Sequence, residues 1–267
     1  MKRKICMAGM ILFSVLFFVS GIMFFRQYRD EKKSDEVFNQ LTQLIHEETS
    51  PSFVEEDGSA KEFRAEESEA PEIQAQNAFD KYAELYARNT DFVGWIRIDG
   101  TNIDYPVMQT KDSPDYYLRR SFEKRYSDYG VPYVAEHCDV DISDNTVIYG
   151  HHMNNKTMFS ALCDYDSIDF YEEHKKIRFD TLGGFGEYEI VTVFKTVVYT
   201  EEGFKFYQFA MANDPTEFDE YISKCKELAL YDTGVSAEYG DKLITLSSCE
   251  YSQQNSRLVV VAKKISV

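Results

Sequence analysis

Hydrophobic positions change their period several times along the chain. An unbroken apolar run from Ile5 to Phe25 comes first, and then Val37, Phe38, Leu41, Leu44 and Ile45 recur at helical spacing, which predicts a short helix. Between His46 and Gln76 large apolar residues become scarce. They return near Asn77, where Phe79, Tyr82, Leu85 and Tyr86 fall on one face of a predicted helix. Alternation with period two then takes over. "FVGWIRIDG" and "NIDYPVMQ" alternate around Trp95 and Ile103, with "DGTN" between them as a tight hairpin turn. "VPYVAE", "NTVIYGH", "KIRFDTL", "EYEIVTVFKTVVY", "DKLITLSS" and "RLVVVAKKI" read as further strands, rich in Val, Ile, Tyr and Thr. Two segments break this rhythm. "SPDYYLRRSF" offers Ser113 as an N-cap and Pro114 at the first helical position, predicting a short helix. "DPTEFDEYISKCKELALY" sets Phe218, Tyr221, Ile222, Cys225 and Leu228 at helical spacing after Pro215, one amphipathic helix inserted before the last two strands. "GGFG" at 183–186 reads as a hairpin turn. Eight strand candidates without a βα rhythm predict a mainly β fold with peripheral α, a closed or nearly closed antiparallel barrel with helices outside it.

The polar residues divide the chain. Lys2, Arg3 and Lys4 precede the apolar run, which as a helix would rise roughly 31 Å, about the thickness of a bilayer core. A cleaved signal peptide has a shorter apolar region and a small-residue cleavage site, so an uncleaved anchor is expected over residues 1–25, with the following chain outside the cell. From His46 to Gln76 ten acidic residues face only Lys61 and Arg64, which predicts a disordered spacer; residues 26–76 are thus a juxtamembrane helix and an acidic connector. Residues 77–267 are the folded domain. A hydrophobic fraction of 43% in 267 residues is enough for one core. The formal charge of −17 argues against nucleic acid as a partner, because phosphate binding needs clustered Lys and Arg. Five cysteines, Cys6, Cys138, Cys163, Cys225 and Cys249, have no tight spacing and do not form a disulfide framework. Cys138, Cys163 and Cys225 read as small hydrophobes of the fold. His137, Cys138, Cys163 and His174 lack close ligand spacing, and no metal is expected.

Three strand ends carry candidate chemistry. "TVIYGHHMNN" ends an apolar strand and presents His151 and His152, "LITLSSC" ends another in Cys249, and "RLVVV" opens the next at Arg257. A thiol beside an imidazole or a cation becomes a good nucleophile, and a guanidinium can hold the oxyanion formed when it attacks a carbonyl. The spacing fits such an acyl-transfer site. It equally admits a packing cysteine with an ordinary surface arginine.

The motifs themselves are more specific. "TLSSC" followed eight residues later by Arg257 resembles the "TLxTC…R" active-site segment of the sortases, membrane-anchored cysteine transpeptidases of Gram-positive surfaces, and "VIYGHHM" resembles their histidine segment. "DFVGWIRIDGTNIDYPVMQ", "DYYLRRSF" and the helix from Pro215 to Leu230 resemble class B sortases, so that the likeness covers about Asn77 to Val267. It implies an eight-stranded sortase β-barrel with N-terminal helices, with Cys249 as nucleophile, His151 as acid/base and Arg257 as oxyanion and substrate stabiliser. The implied reaction cuts a C-terminal NPxTN- or NPxTG-like sorting motif after Thr through a thioacyl-enzyme. The protein is then passed to a peptidoglycan cross-bridge amine, with no ATP, metal or other cofactor. By the same likeness Leu118 and Ser247 line the sorting-peptide groove, and the backbone N–H of Glu250 donates to the oxyanion.

The chain also departs from the pattern. Ser248 stands where the family usually has threonine, His152 competes with His151 for the acid/base role, and "YGVPYVAEHCD" differs from the usual small-residue segment. A papain-like peptidase would place its cysteine before its histidine, the reverse of the order here. A pilin-polymerising sortase, joining subunits through a lysine amine, is the alternative within the family. A membrane-tethered binding module would leave Cys249 and Arg257 without roles.

Overall fold

The computed structural model describes residues 2–47, 71–200, 203–251 and 254–265. The acidic spacer expected between His46 and Gln76 lies mostly outside the described residues. Helices α1 (Lys2–Glu47) and α2 (Pro71–Arg88) precede eight strands: β1 (Phe92–Arg97), β2 (Asp104–Met108), β3 (Tyr133–Val134), β4 (Asn145–Gly150), β5 (Lys176–Thr181), β6 (Glu187–Val197), β7 (Leu243–Cys249) and β8 (Ser256–Ile265). Helix α3 (Ile168–Glu173) lies before β5, and α4 (Pro215–Glu227) between β6 and β7. The strands close into a barrel in the order β1-β2-β3-β4-β7-β8-β6-β5.

All eight strands read from the alternation are present, but the barrel is mixed rather than antiparallel. β2 pairs with β3, and β4 with β7, in parallel, while every other junction is antiparallel. Parallel neighbours need a long crossover. Between β4 and β7 that crossover is β5, β6 and α4, and it makes β4 and β7 neighbours although nearly a hundred residues separate them. Both strands are buried except at their C-terminal ends. Asn145 ties the outer layer to them: its amide donates to the Phe209 carbonyl (2.8 Å) and its Oδ1 accepts from Thr245 Oγ1 (2.8 Å), a network joining β4, β7 and the approach to α4.

The helices differ from expectation in detail. α4 starts where Asp214 accepts from the N–H groups of Thr216 and Glu217 (2.8 and 3.1 Å), and buries Phe218, Tyr221, Ile222 and Cys225, as its spacing predicts. α2 buries Ala78, Tyr82 and Leu85, but Phe79 faces outward; the buried stripe is set by Tyr82, whose hydroxyl donates to Asp180 (2.7 Å). The short helix after Ser113 is a 3-10 segment, Tyr116–Arg119, and its flanking residue is Asp115 in the left-handed region (φ 58°) rather than Ser113.

The helical spacing around Phe38 belongs to the far end of α1, which docks on the barrel. Phe38, Leu41 and Ile45 are buried, Phe38 meets Tyr105 edge-on at 5.0 Å, and Asp30 accepts from the backbone N–H of Asp128 (2.7 Å). The other end carries the apolar run expected to be an anchor, and large side chains from Met10 to Phe25 are exposed; the side chains of residues 2–9 and 11 lie outside the described set. Among the described residues no helix is long and apolar enough to cross a membrane.

Candidate active site

Strand register builds the site. β4 pairs with β7 as Tyr149↔Ser247 and Gly150↔Ser248, and β7 pairs with β8 as Ser247↔Val259 and Cys249↔Arg257. One step beyond Gly150, His151 therefore falls level with Cys249. The three side chains expected to carry chemistry form a row across three neighbouring strands, roughly 4.8 Å from one to the next. Two residues back, and so on the same face, Tyr149 and Ser247 form a second row. Both rows open into one cavity of about 330 Å³, lined also by Leu118 and by Tyr199 and Phe206 from the segment after β6.

Two glycines permit the close packing at this end of the barrel. A Cβ on Gly150 would stand 2.4 Å from the Phe159 ring, and one on Gly130, whose φ is 62°, would stand 2.6 Å from the Leu118 carbonyl oxygen. That carbonyl accepts from His151 Nε2–H at 2.7 Å, which fixes the ring and leaves Nδ1 as the nitrogen with a lone pair when the imidazole is neutral. Burial lowers the His151 pKa; the Leu118 hydrogen bond opposes this, Arg119 and Arg257 add to it, and Asp128 works against it.

The neighbouring His152 points elsewhere. Its Nδ1–H donates to the Cys249 carbonyl (3.1 Å), its ring packs edge-on against Tyr251 at 4.9 Å, and it does not line the cavity. Cys163 joins this second cluster, its thiol 3.5 Å from the same carbonyl, and burial pushes its pKa up to about 12. Burial likewise raises Cys138 to about 11 and Cys225 to about 12, so these three thiols are poor nucleophiles at neutral pH. Cys249 is half-buried and unbridged at the cavity.

The two groups expected to hold an oxyanion converge on a protein atom. Arg257 Nη1 and the backbone N–H of Glu250 both donate to the Ser256 carbonyl oxygen, each at 3.0 Å. The Glu250 N–H is thus engaged in the β7–β8 connection. Ser247 Oγ is buried and, among the described residues, has no hydrogen-bond partner. Among the described residues no group of three or more His, Cys, Asp or Glu is placed to hold a metal ion.

The sequence did not mark most of the cavity lining, including Tyr149, Asp115 and Glu136. Tyr149 was accessible from it, since period two carried back from His151 reaches Tyr149 on the same face. Asp115 and Glu136 carried no such signal, because they come from separate loops that meet only in the folded chain.

A closed mixed barrel that aligns Cys, His and Arg on three adjacent strands defines a cysteine acyl-transfer enzyme of the sortase architecture. The sortase-domain family model matches residues 96–265. Sortase B of Staphylococcus aureus (strain NCTC 8325 / PS 47) is 34% identical over 190 residues, spanning 70% of this chain and 75% of that protein. A solved Staphylococcus aureus sortase B–substrate complex superposes with a TM-score of 0.73 at 26% identity, covering 90% of this chain and 99% of the other. A sortase B complexed with triglycine also gives 0.73, at 28% identity, covering 89% and 99%. The chain belongs to the sortase family, in class B, and is a sortase-type cysteine transpeptidase.

Proposed function

We propose that this transpeptidase cuts an NPxTN- or NPxTG-like sorting motif after its threonine and transfers the protein to a peptidoglycan cross-bridge amine. The observation that carries the reading is the row His151, Cys249, Arg257 at the mouth of one cavity. Cys249 Sγ bonds to the threonine carbonyl carbon, and Arg257 holds the oxyanion. As the C–N bond breaks, the proton lost by the thiol reaches the leaving amine through His151. An acceptor amine then attacks the thioester, the sulfur leaves, and the proton returns to it. The thioester keeps the free energy of the peptide bond, so no nucleotide is consumed. Leu118 and Ser247 line the peptide's groove, and Ser247 Oγ, buried without a partner among the described residues, suits a polar group of the bound backbone. The Glu250 N–H joins the oxyanion site once it leaves the Ser256 carbonyl. Triglycine in a related sortase B supports a glycine-type amine as acceptor. The exposed apolar end of α1 supports an N-terminal membrane anchor, with the catalytic domain of residues 77–267 outside the cell.

Intact mass spectrometry of the full chain, incubated with NPxTN, NPxTG and LPxTG peptides, tests this. A thioacyl adduct at Cys249 and cleavage after threonine are expected with at least one NPxT peptide. A folded sample whose Cys249 is alkylated by a small reagent yet forms no adduct with any peptide would end the reading.

His151 also gives a stability test. Its pKa is lowered in the folded protein, so between that value and the unfolded value near 6.5 the unfolded chain binds more protons. The stability it contributes is full above about pH 6.5 and is lost as pH falls towards the folded pKa. On going from pH 7.5 to 5.5 the wild type should therefore lose more Tm than His151→Asn, by differential scanning fluorimetry; equal losses would contradict the assigned burial.

A further inference from the structure

Where the apolar run of α1 ends, helix and barrel enclose a cleft of about 710 Å³, separate from the cavity that holds Cys249. Its helix wall carries Met23, Arg26, Arg29 and Lys33, and its barrel wall Tyr126 and Asp128. At 3.6 residues per turn the three cations span roughly 60° of the helix circumference, so they present one face. Among the described residues none of these three side chains makes an ion pair or a hydrogen bond. In a chain of formal charge −17 that is a concentration of unspent positive charge.

The two carboxylates of the cleft are already engaged. Asp30 accepts from the Asp128 N–H (2.7 Å) and the Ser127 hydroxyl (3.4 Å), which holds the helix to the barrel. Asp128 pairs with Arg119 and accepts from the Tyr126 hydroxyl, each at 2.6 Å. The cations of α1 are therefore left for a ligand, and guanidinium groups meet a phosphate with paired hydrogen bonds.

The depth of the cleft selects the phosphate. Arg26 follows directly on the apolar run that ends at Phe25, and Met23, from that run, lines the same cleft. A headgroup layer is roughly 5–7 Å deep on each side of the hydrocarbon core, and Arg26 and Arg29 lie roughly 4.5 Å apart along the helix. With the apolar run in a bilayer, both guanidinium groups stand at the level of lipid phosphates. Tyr126, 65% exposed on the facing loop, is an aromatic of the kind that settles at a membrane interface.

We propose that this cleft binds one anionic phospholipid of the phosphatidylglycerol class, its phosphate held by Arg26, Arg29 and Lys33 and its acyl chains running along α1 past Met23. This rests on the N-terminal anchor read above and adds a specific lipid to it. Phosphatidylcholine fits less well, because its own ammonium group already balances its phosphate.

Native mass spectrometry of the full chain in a non-ionic detergent, with phosphatidylglycerol and phosphatidylcholine added in equal amounts, tests the site. One phosphatidylglycerol should be retained per chain, in preference to phosphatidylcholine by about 10-fold at low salt and less at high salt. Arg29→Gln should lower that ratio by about 5-fold, and Arg26→Gln, Arg29→Gln and Lys33→Gln together should bring it close to unity. Lys32→Gln removes the same charge from a residue outside the cleft, whose ammonium lies over the Tyr28 ring at 5.7 Å, and should leave the ratio unchanged. Each readout is a ratio within one protein, so a variant that folds poorly does not mimic the effect. Equal retention of both lipids by the wild type, or a preference that survives in the triple variant, would overturn the proposal. So would an equal loss in Lys32→Gln and Arg29→Gln, which assigns the attraction to diffuse charge, or displacement of the lipid by millimolar inorganic phosphate, which assigns the cleft to a free anion. Flotation with vesicles after detergent removal separates the two readings. A chain that floats with phosphatidylcholine vesicles yet shows no lipid preference keeps the anchor and loses the site, whereas one that floats with neither lipid overturns the anchor and the site with it.

Discussion

Replacing Cys249 by alanine is expected to lower kcat/KM for peptide cleavage by at least about 10⁴-fold and to abolish the thioacyl adduct. No other described thiol can substitute. Cys138 and Cys225 are buried, and Cys163, at about 12, faces the cluster behind the Cys249 carbonyl rather than the cavity. The fold should hardly register the change: the contacts of His152 and Cys163 are made to the Cys249 carbonyl, and alanine keeps that carbonyl. A Tm close to wild type alongside lost cleavage separates chemistry from unfolding. Cleavage at a comparable rate by a folded Cys249→Ala protein would remove the covalent mechanism.

Arg257→Ala should cost about 10²- to 10³-fold in kcat, on the order of 3–4 kcal/mol of transition-state stabilisation, with a smaller change in KM. The guanidinium sits opposite Cys249 on the next strand, and its Nη1 already donates to the Ser256 carbonyl. Arg257→Lys should recover only part of the rate, because an ammonium cannot present a planar fork of donors. Cys249 in both variants should still react with a small alkylating agent, measured by mass. An unchanged kcat in Arg257→Ala would show that the oxyanion is held by other donors.

Much of the barrel was legible because alternation is a local signal. Every strand from Phe92 to Ile265 follows from period two, and α4 from its proline and its apolar spacing. Strand order was not legible: the parallel partnership of β4 and β7 is a long-range fact, and it alone brings His151 level with Cys249. Between the two adjacent histidines, the position directly after Gly150 favours His151, and the structure sends that ring to the cavity and the other to the Cys249 carbonyl. The Glu250 N–H was picked out by family likeness, but only coordinates reveal that Ser256 already occupies it. Asp115 and Glu136 were silent for the same reason as the strand order: their meeting place exists only after the barrel has closed.

Helix α1 bears on the enzyme's working geometry. It runs without interruption from Lys2 to Glu47, with its latter part clamped to the barrel through Phe38, Leu41, Ile45 and the Asp30 contact. If its apolar end is anchored in a bilayer as proposed, such a helix would be a strut rather than a tether. The roughly 30 Å of helix between residues 26 and 45 would fix both the height and the heading of the cavity above the lipid surface. Substrate and acceptor would have to come to that height, and lateral diffusion in the membrane plane, not the swing of a flexible arm, would set how much of the wall one enzyme can serve.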